Sequence, residues 1–132
     1  RAMAPAAFDT LCNHLADLNR QGDYYDLIVT GDLSDYGKKI MKELMAEKKI
    51  NYKEYDDCGS LLYSSNQDVN QGGSGPSCSA LVTFGYLYQK MLKHKYRRVL
   101  VITTGALLSP VMTNQKQSIP CIGHAFSLEV VE

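Results

Sequence analysis

Neither sign of charge is in surplus in this 132-residue chain, where fourteen Lys and Arg balance fourteen Asp and Glu. Net charge therefore gives no reason for nucleic acid or an anionic membrane as the main partner, and any anion site must be local. The four cysteines, Cys12, Cys58, Cys78 and Cys121, lie 46, 20 and 43 positions apart, and none belongs to a Cys-x-x-Cys or Cys-x-x-His pair. That spacing argues against zinc and sets no disulfide framework. Each thiol sits in or beside an apolar stretch, where a reduced cysteine packs as a small hydrophobe. No apolar run reaches bilayer length, and Arg1-Ala2-Met3-Ala4-Pro5 offers no signal-peptide core, so a soluble chain in a reducing, cytoplasmic-type compartment is expected. No Lys-Ser or Lys-Thr follows the glycine turn at Gly72–Gly75, which excludes a Walker phosphate loop, and the dinucleotide fingerprint is absent too.

What is present is the composition of one ordinary domain with a real core, 45% hydrophobic and 21% charged. Pro5 suits a first helical position, and Phe8, Leu11, Cys12, Leu15 and Leu18 follow at helical steps up to a glycine stop at Gly22. Tyr25 to Thr30 reads as a short strand closed by Gly31-Asp32. Ser34 is placed to cap a second helix that turns Ile40, Met41, Leu44 and Met45 inward and ends near Lys48 and Lys49. A weaker strand is expected within Tyr52 to Cys58, and the polar stretch Gly59 to Gln71 reads as a long surface loop. From Ser77 to His94 the positions Leu81, Phe84, Tyr88, Met91 and Leu92 keep helical spacing, with Gly85 on the same face for a close approach.

Val99 to Ile102 is apolar at every position, as in a strand covered on both faces, and should be central. The last segment alternates: Ile122, His124, Phe126, Leu128 and Val130 face one way, and Cys121, Gly123, Ala125 and Ser127 form a small-residue face suited to packing on a helix. The connection from Gly105 to Pro120 is too short for a helical crossover, which predicts an antiparallel pair. The whole pattern is a layered α/β domain. It opens on a helix with no strand before it, so the chain is expected to be a piece of a larger protein.

The chemistry-bearing residues are few. Gly72, Gly73, Ser74, Gly75 and Ser77 form a tight turn into a helix start, a backbone arrangement that can hold an anion or simply be a polar loop. Asp32, directly after a strand, is the best single polar pocket candidate, against the plain reading of a turn aspartate. His124 shares its face with Ile122 and Phe126, which predicts a buried, hydrogen-bonded imidazole, with a ligand contact as the alternative. His14 and His94 read as helix-surface residues, and Cys78 and Cys121 as structural thiols. Lys90, Lys93, Lys95, Arg97 and Arg98 place five cations in nine residues, a solvated face or a dock for an anionic membrane surface or an acidic partner.

Four stretches then carry a resemblance: Ala2-Met3-Ala4-Pro5-Ala6-Ala7, Asp26-Leu27-Ile28-Val29-Thr30-Gly31-Asp32-Leu33, Gly73-Ser74-Gly75-Pro76-Ser77-Cys78-Ser79 and Ile119-Pro120-Cys121-Ile122-Gly123-His124-Ala125. Together, over essentially the whole chain, they resemble the C-terminal part of the stage V sporulation protein AD family, which looks like a member of the thiolase-like superfamily. The resemblance implies a three-layer α/β/α thiolase-like half with a mixed sheet whose last strand is antiparallel. It also implies that an edge strand and an N-terminal half lie outside this chain. Condensing enzymes of that superfamily carry a nucleophilic Cys on the N-terminal half, with a His after the second strand and an Asn or second His at the glycine turn of the C-terminal half. Here those places hold Gly31-Asp32 and Gly72-Gly73-Ser74-Gly75, so acyl transfer lacks its electrostatic and acid–base groups. No catalytic residue and no cofactor is expected. The function implied is binding of dipicolinic acid, alone or with calcium, through Asp32, Gly72, Gly73, Ser74, Gly75, Ser77 and His124. The expected setting is a spore membrane transport assembly, with the protein cytoplasmic or in the forespore and peripheral to the inner membrane. Its partners would be its own N-terminal half and the other assembly proteins, not nucleic acid, and a homodimer is left open. The alternatives are a thiolase-like acyltransferase and a structural docking domain.

Overall fold

Leu27, Ile28, Val29 and Thr30 are all buried, which a strand achieves only with a neighbour on each side and a layer on each face. In the computed structural model, which describes residues 3–31, 33–58, 85, 87–93, 95–106 and 121–130, this strand is β1. The element order is α1 (Met3–Asp17), a 3-10 turn (Gly22–Tyr24), β1 (Leu27–Thr30), α2 (Ser34–Glu47), β2 (Tyr55–Asp57), α3 (Tyr88–Leu92), β3 (Arg98–Ala106) and β4 (Cys121–Glu129). The sheet order is β2-β1-β3-β4. β1 runs parallel to β2 and β3, and β4 runs antiparallel to β3. The expected α/β fold with an antiparallel last strand is therefore present, and Val99, Leu100, Val101 and Ile102 are fully buried in a strand paired on both sides.

Two apolar clusters sandwich the sheet. On one face Ala4, Ala7 and Leu11 of α1 and Met41 and Met45 of α2 pack on Ile28, Leu100 and Ile102. On the other, Leu87 and Met91 pack on Leu27, Val29, Val99 and Val101, so α3 covers the opposite face. The small face of β4 does meet a helix. Gly123 lies so close to α1 that an added Cβ would stand 2.6 Å from Thr10 Oγ1.

Several local expectations give way to tertiary geometry. α1 ends before Gly22, at a turn where Asn19 takes a positive φ of 51°, with Asn19 N–H donating to Ala16 O and Arg20 N–H to Leu15 O. Leu18, the first residue after α1, is 47% exposed instead of inward. Gly22 instead packs where a Cβ would strike Asn51 O. Pro5 lies inside the first turn, where its missing N–H costs no helical bond. α2 begins at Ser34 with Leu33 before it, and the Leu33 N–H is satisfied by Asp57, a residue remote in sequence. In the third helix Leu87 takes the buried place, Leu92 is 61% exposed, and Gly85 is exposed with no described atom close to it. The Gly59–Gln71 loop and most of the expected Ser77–His94 helix fall outside the described residues.

α2 closes like α1, with Lys49 at φ 55°, Lys49 N–H to Ala46 O and Ile50 N–H to Met45 O. Only glycine holds that left-handed geometry without a Cβ penalty. Lys49→Gly is expected to stabilise the chain by about 0.5–1 kcal/mol, read as a higher denaturant midpoint at unchanged slope.

At the lower end of the sheet, where the strands begin, Tyr25 is buried with its hydroxyl 2.6 Å from His14 Nε2 and 2.9 Å from Arg20, which donates to it. His14 is thus a half-buried, hydrogen-bonded residue and not a freely exposed one. The Tyr24 ring lies 4.4 Å from the Arg20 guanidinium and 4.3 Å from that of Arg98. Because Arg20 supplies the phenol oxygen with a donor, the Tyr25 O–H is free to donate to an unprotonated Nε2. Burial and the Arg20 charge hold the His14 pKa below 6.5, against a smaller opposing pull from Asp17. As pH falls through about 6.5 the unfolded chain takes up a proton that the folded chain refuses. Stability from this site is complete above that pH and declines below it. Urea melts at neutral and mildly acidic pH should show the loss, and His14→Gln, which cannot titrate, should lessen it.

Candidate functional site

From β1 the chain crosses to β2 on one side of the sheet and then, through α3, to β3 on the other. The strand order therefore reverses between β1 and β3. In open sheets of this kind the crevice beyond the carboxyl ends of such a pair is the usual ligand site, because the two crossover helices lead away from it. Here that crevice is bordered by Thr30, Gly31 and Leu33 after β1 and by the upper half of β3. Gly31 is buried, its N–H donating to Ile102 O at 2.9 Å. Asp32 itself lies outside the described residues, as do Gly72, Gly73, Ser74, Gly75 and Ser77.

Thr30 and Leu33, on either side of Asp32 in the sequence, are fixed by a buried polar relay. Tyr55 Oη is 2.8 Å from Thr30 Oγ1, which donates to Asp57 Oδ1 at 2.5 Å, and Asp57 Oδ1 also accepts the Leu33 N–H at 3.0 Å. Thr30 and Asp57 are fully buried. Since the Thr30 hydroxyl proton goes to the carboxylate, Tyr55 is the donor in the first bond. Burial pushes the Tyr55 phenol far up, the Thr30 bond opposes this, and the Asp57 and Asp56 carboxylates add to the rise, so Tyr55 is a fixed O–H donor and no proton shuttle. Beside the relay, Lys38 on α2 makes a 2.7 Å ion pair with Asp56, whose other contact is the Asp57 N–H at 2.8 Å. Asp57 thus ties β1, β2 and the start of α2 into one rigid corner.

His124 stands elsewhere. It pairs with Thr103 on β3, one step beyond the Thr30–Ile102 level, so it is near the height of the Gly31 turn but two strands away, about 10 Å across the sheet. Alternation puts its side chain with Leu128 on the α3 face, opposite the Thr30 relay. The imidazole is exposed and Phe126 is 43% exposed, which overturns the expected buried histidine. The reason is that the described part of α3 covers β1 and β3 but does not reach the outer half of β4.

Sequence reasoning did not single out Thr30, Tyr55 or Asp57. The available signals were a hydroxyl ending an otherwise apolar strand and two carboxylates ending a short one, both at carboxyl ends of parallel strands. Chemically the corner is a brace, because the Tyr55, Thr30, Gly31 and Leu33 donors are all taken up inside the protein. No group of three His, Cys, Asp or Glu side chains among the described residues is arranged to hold a metal ion, and Cys12 is a free thiol.

Comparison with known proteins gives a consistent answer over the whole chain. The sequence profile of the family described as Stage V sporulation protein AD (SpoVAD) matches residues 1–129. The Stage V sporulation protein AD of Bacillus subtilis (strain 168) is 49% identical over 129 residues, which is 97% of this chain and 38% of that protein. The chain therefore spans well under half the length of the curated relative it matches.

Proposed function

The chain belongs to the stage V sporulation protein AD family, and from that premise we propose that it is one half of a non-catalytic binding protein for dipicolinic acid, alone or with calcium. The protein would serve a spore membrane transport assembly in sporulation and germination, at the forespore side and peripheral to the membrane. The family is named for sporulation and not for an enzyme activity. Among the described residues no helix is long and apolar enough to cross a membrane, which is compatible with a peripheral position.

The observation that carries the reading is the crevice at the reversal between β1 and β3, where Asp57 braces Thr30 and Leu33. A small aromatic dicarboxylate needs oriented N–H and O–H donors beside an apolar slot. The glycine turn Gly72-Gly73-Ser74-Gly75 would supply backbone donors at a helix start, and Asp32 would meet the calcium or a protonated carboxyl. The other wall of the pocket belongs to the N-terminal half of the protein.

Calorimetric titration of the full-length protein with dipicolinate tests this. Gly73→Val should weaken binding at least about tenfold, because a branched side chain blocks both the turn and close approach of the ligand. The 132-residue chain alone should bind weakly or not at all. Undiminished binding by Gly73→Val with an intact circular dichroism spectrum would make the turn structural. Thiolysis of acetoacetyl-CoA by the full-length protein would favour the acyltransferase reading instead.

A further inference from the structure

At the opposite end of the molecule, a cleft of about 380 Å³ opens between the C-terminal turns of α1 and α2. Its floor is Cys12, Leu15 and Ile50, all half-buried, and its rim carries Arg20, Lys48 and Lys49. No carboxylate is among the residues that line it. We propose that this cleft binds a small organic carboxylate, with its apolar body on Cys12, Leu15 and Ile50 and its charge between Arg20 and the two lysines.

Three observations support that assignment. First, helix C-termini ordinarily repel anions, but here the last carbonyls are already taken. Leu15 O and Ala16 O accept from the turn after α1, and Leu44 O, Met45 O and Ala46 O accept from the turn after α2. Three cations then outweigh the residual negative pole. Second, Arg20 is held in place by its bond to Tyr25, whereas neither Lys48 nor Lys49 makes a side-chain hydrogen bond or ion pair among the described residues. Third, Lys49 occupies a backbone position where glycine is the least strained residue, and a strained conformation kept on the rim of a cleft points to a use for its side chain. The volume lies at the small-molecule end of ligand pockets, and a protein segment would need a far larger contact. The cleft is at the amino ends of the strands and the crevice between β1 and β3 is at their carboxyl ends, so the two are separate.

Benzoate is the probe, and the readout is the alkylation rate of Cys12 in the full-length protein, followed by mass spectrometry of its peptide at alkaline pH. Benzoate should slow Cys12 alkylation, while benzyl alcohol and sodium chloride at matched ionic strength should not. The dissociation constant should rise about threefold in Lys49→Gly and about tenfold in Lys48→Ala/Lys49→Gly, as expected for exposed charge pairs acting together. The Lys49→Gly fold should at the same time be more stable, which separates lost binding from lost structure. Gly73→Val should keep the benzoate effect.

The proposal is overturned if benzoate leaves the rate unchanged, if benzyl alcohol or salt protects equally, or if the double variant binds as the parent does. Loss of protection in Gly73→Val would move benzoate to the glycine turn and also overturn it. Protection by a polyglutamate peptide without protection by benzoate would assign the cleft to a protein segment and do the same.

Discussion

Asp57→Ala should lower the stability of the chain by about 3 kcal/mol, several times the cost of an ordinary surface change. The carboxylate is fully buried and one of its oxygens serves two donors, the Thr30 hydroxyl at 2.5 Å and the Leu33 N–H at 3.0 Å. Alanine removes the acceptor and leaves both donors inside the protein, where each unsatisfied group costs roughly 1–3 kcal/mol. Thr30 can turn its proton toward Tyr55, but then two hydroxyl protons compete for one line of bonds. Asp57→Asn keeps one carbonyl oxygen and should lose about half as much. Urea unfolding followed by circular dichroism gives both values, and equal stability of all three proteins would remove the relay from the account of the fold. On the proposed function, the same pair of variants should weaken dipicolinate binding by the full-length protein in the same order, because Asp57 holds the Leu33 N–H beside the proposed site.

That corner also shows where the sequence is legible and where it is not. Val99 to Ile102 declares itself because four successive apolar residues have a single physical explanation, a strand covered on both faces, and the structure buries all four. The small face of the last strand is legible for a similar reason: glycine and alanine at alternate positions leave room that only a closely packed element fills, and α1 fills it. Asp57 is different. Two consecutive carboxylates in a weak strand look like solvated charge, and nothing nearby in the chain marks the second as buried. Its partners Thr30 and Leu33 come into reach only when β1 and β2 pair in register, Thr30 beside Asp57. His14 is obscured in the same way, because Tyr25 reaches it only after the chain has turned back at Asn19. Periodicity also cannot see where a helix stops. The apolar step from Leu15 to Leu18 continues the stripe on paper, but the Asn19 turn ends the helix first and leaves Leu18 in water. His124 fails for the converse reason, since alternation gives the face of a side chain correctly without saying whether anything covers that part of the face. Of the candidate site, the β1 end is legible as a place where chemistry belongs, while Asp32 and the glycine turn lie outside the described residues.

Gly123→Val should cost the chain about 2–4 kcal/mol, through the contact that docks α1 on β4. Thr10 Oγ1 sits 3.0 Å from Ala6 O and 3.1 Å from Gly123 O, sharing its proton between the helix and the strand. A Cβ on residue 123 would stand 2.6 Å from that oxygen and 3.2 Å from Ala6 O, so it meets both the side chain and the backbone of the helix. The threonine hydroxyl can be rotated away, but the Ala6 carbonyl cannot, and a branched side chain would lever α1 off the strand. Overpacking of this kind typically costs about 1–3 kcal/mol, and the lost Thr10 to Gly123 bond adds about 1 kcal/mol. Gly123→Ala should be milder, at about 1–2 kcal/mol, because its single methyl makes its hard contact with Thr10, at 2.6 Å, and only a tight one with Ala6 O, at 3.2 Å. If that is the cause, Thr10→Ala should relieve Gly123→Ala and leave Gly123→Val nearly as damaged. A double-mutant cycle by urea unfolding would then give a favourable coupling for the first pair and little for the second. Full additivity in both cycles would mean that the cost arises in the strand itself and that the close approach of α1 is not what residue 123 serves.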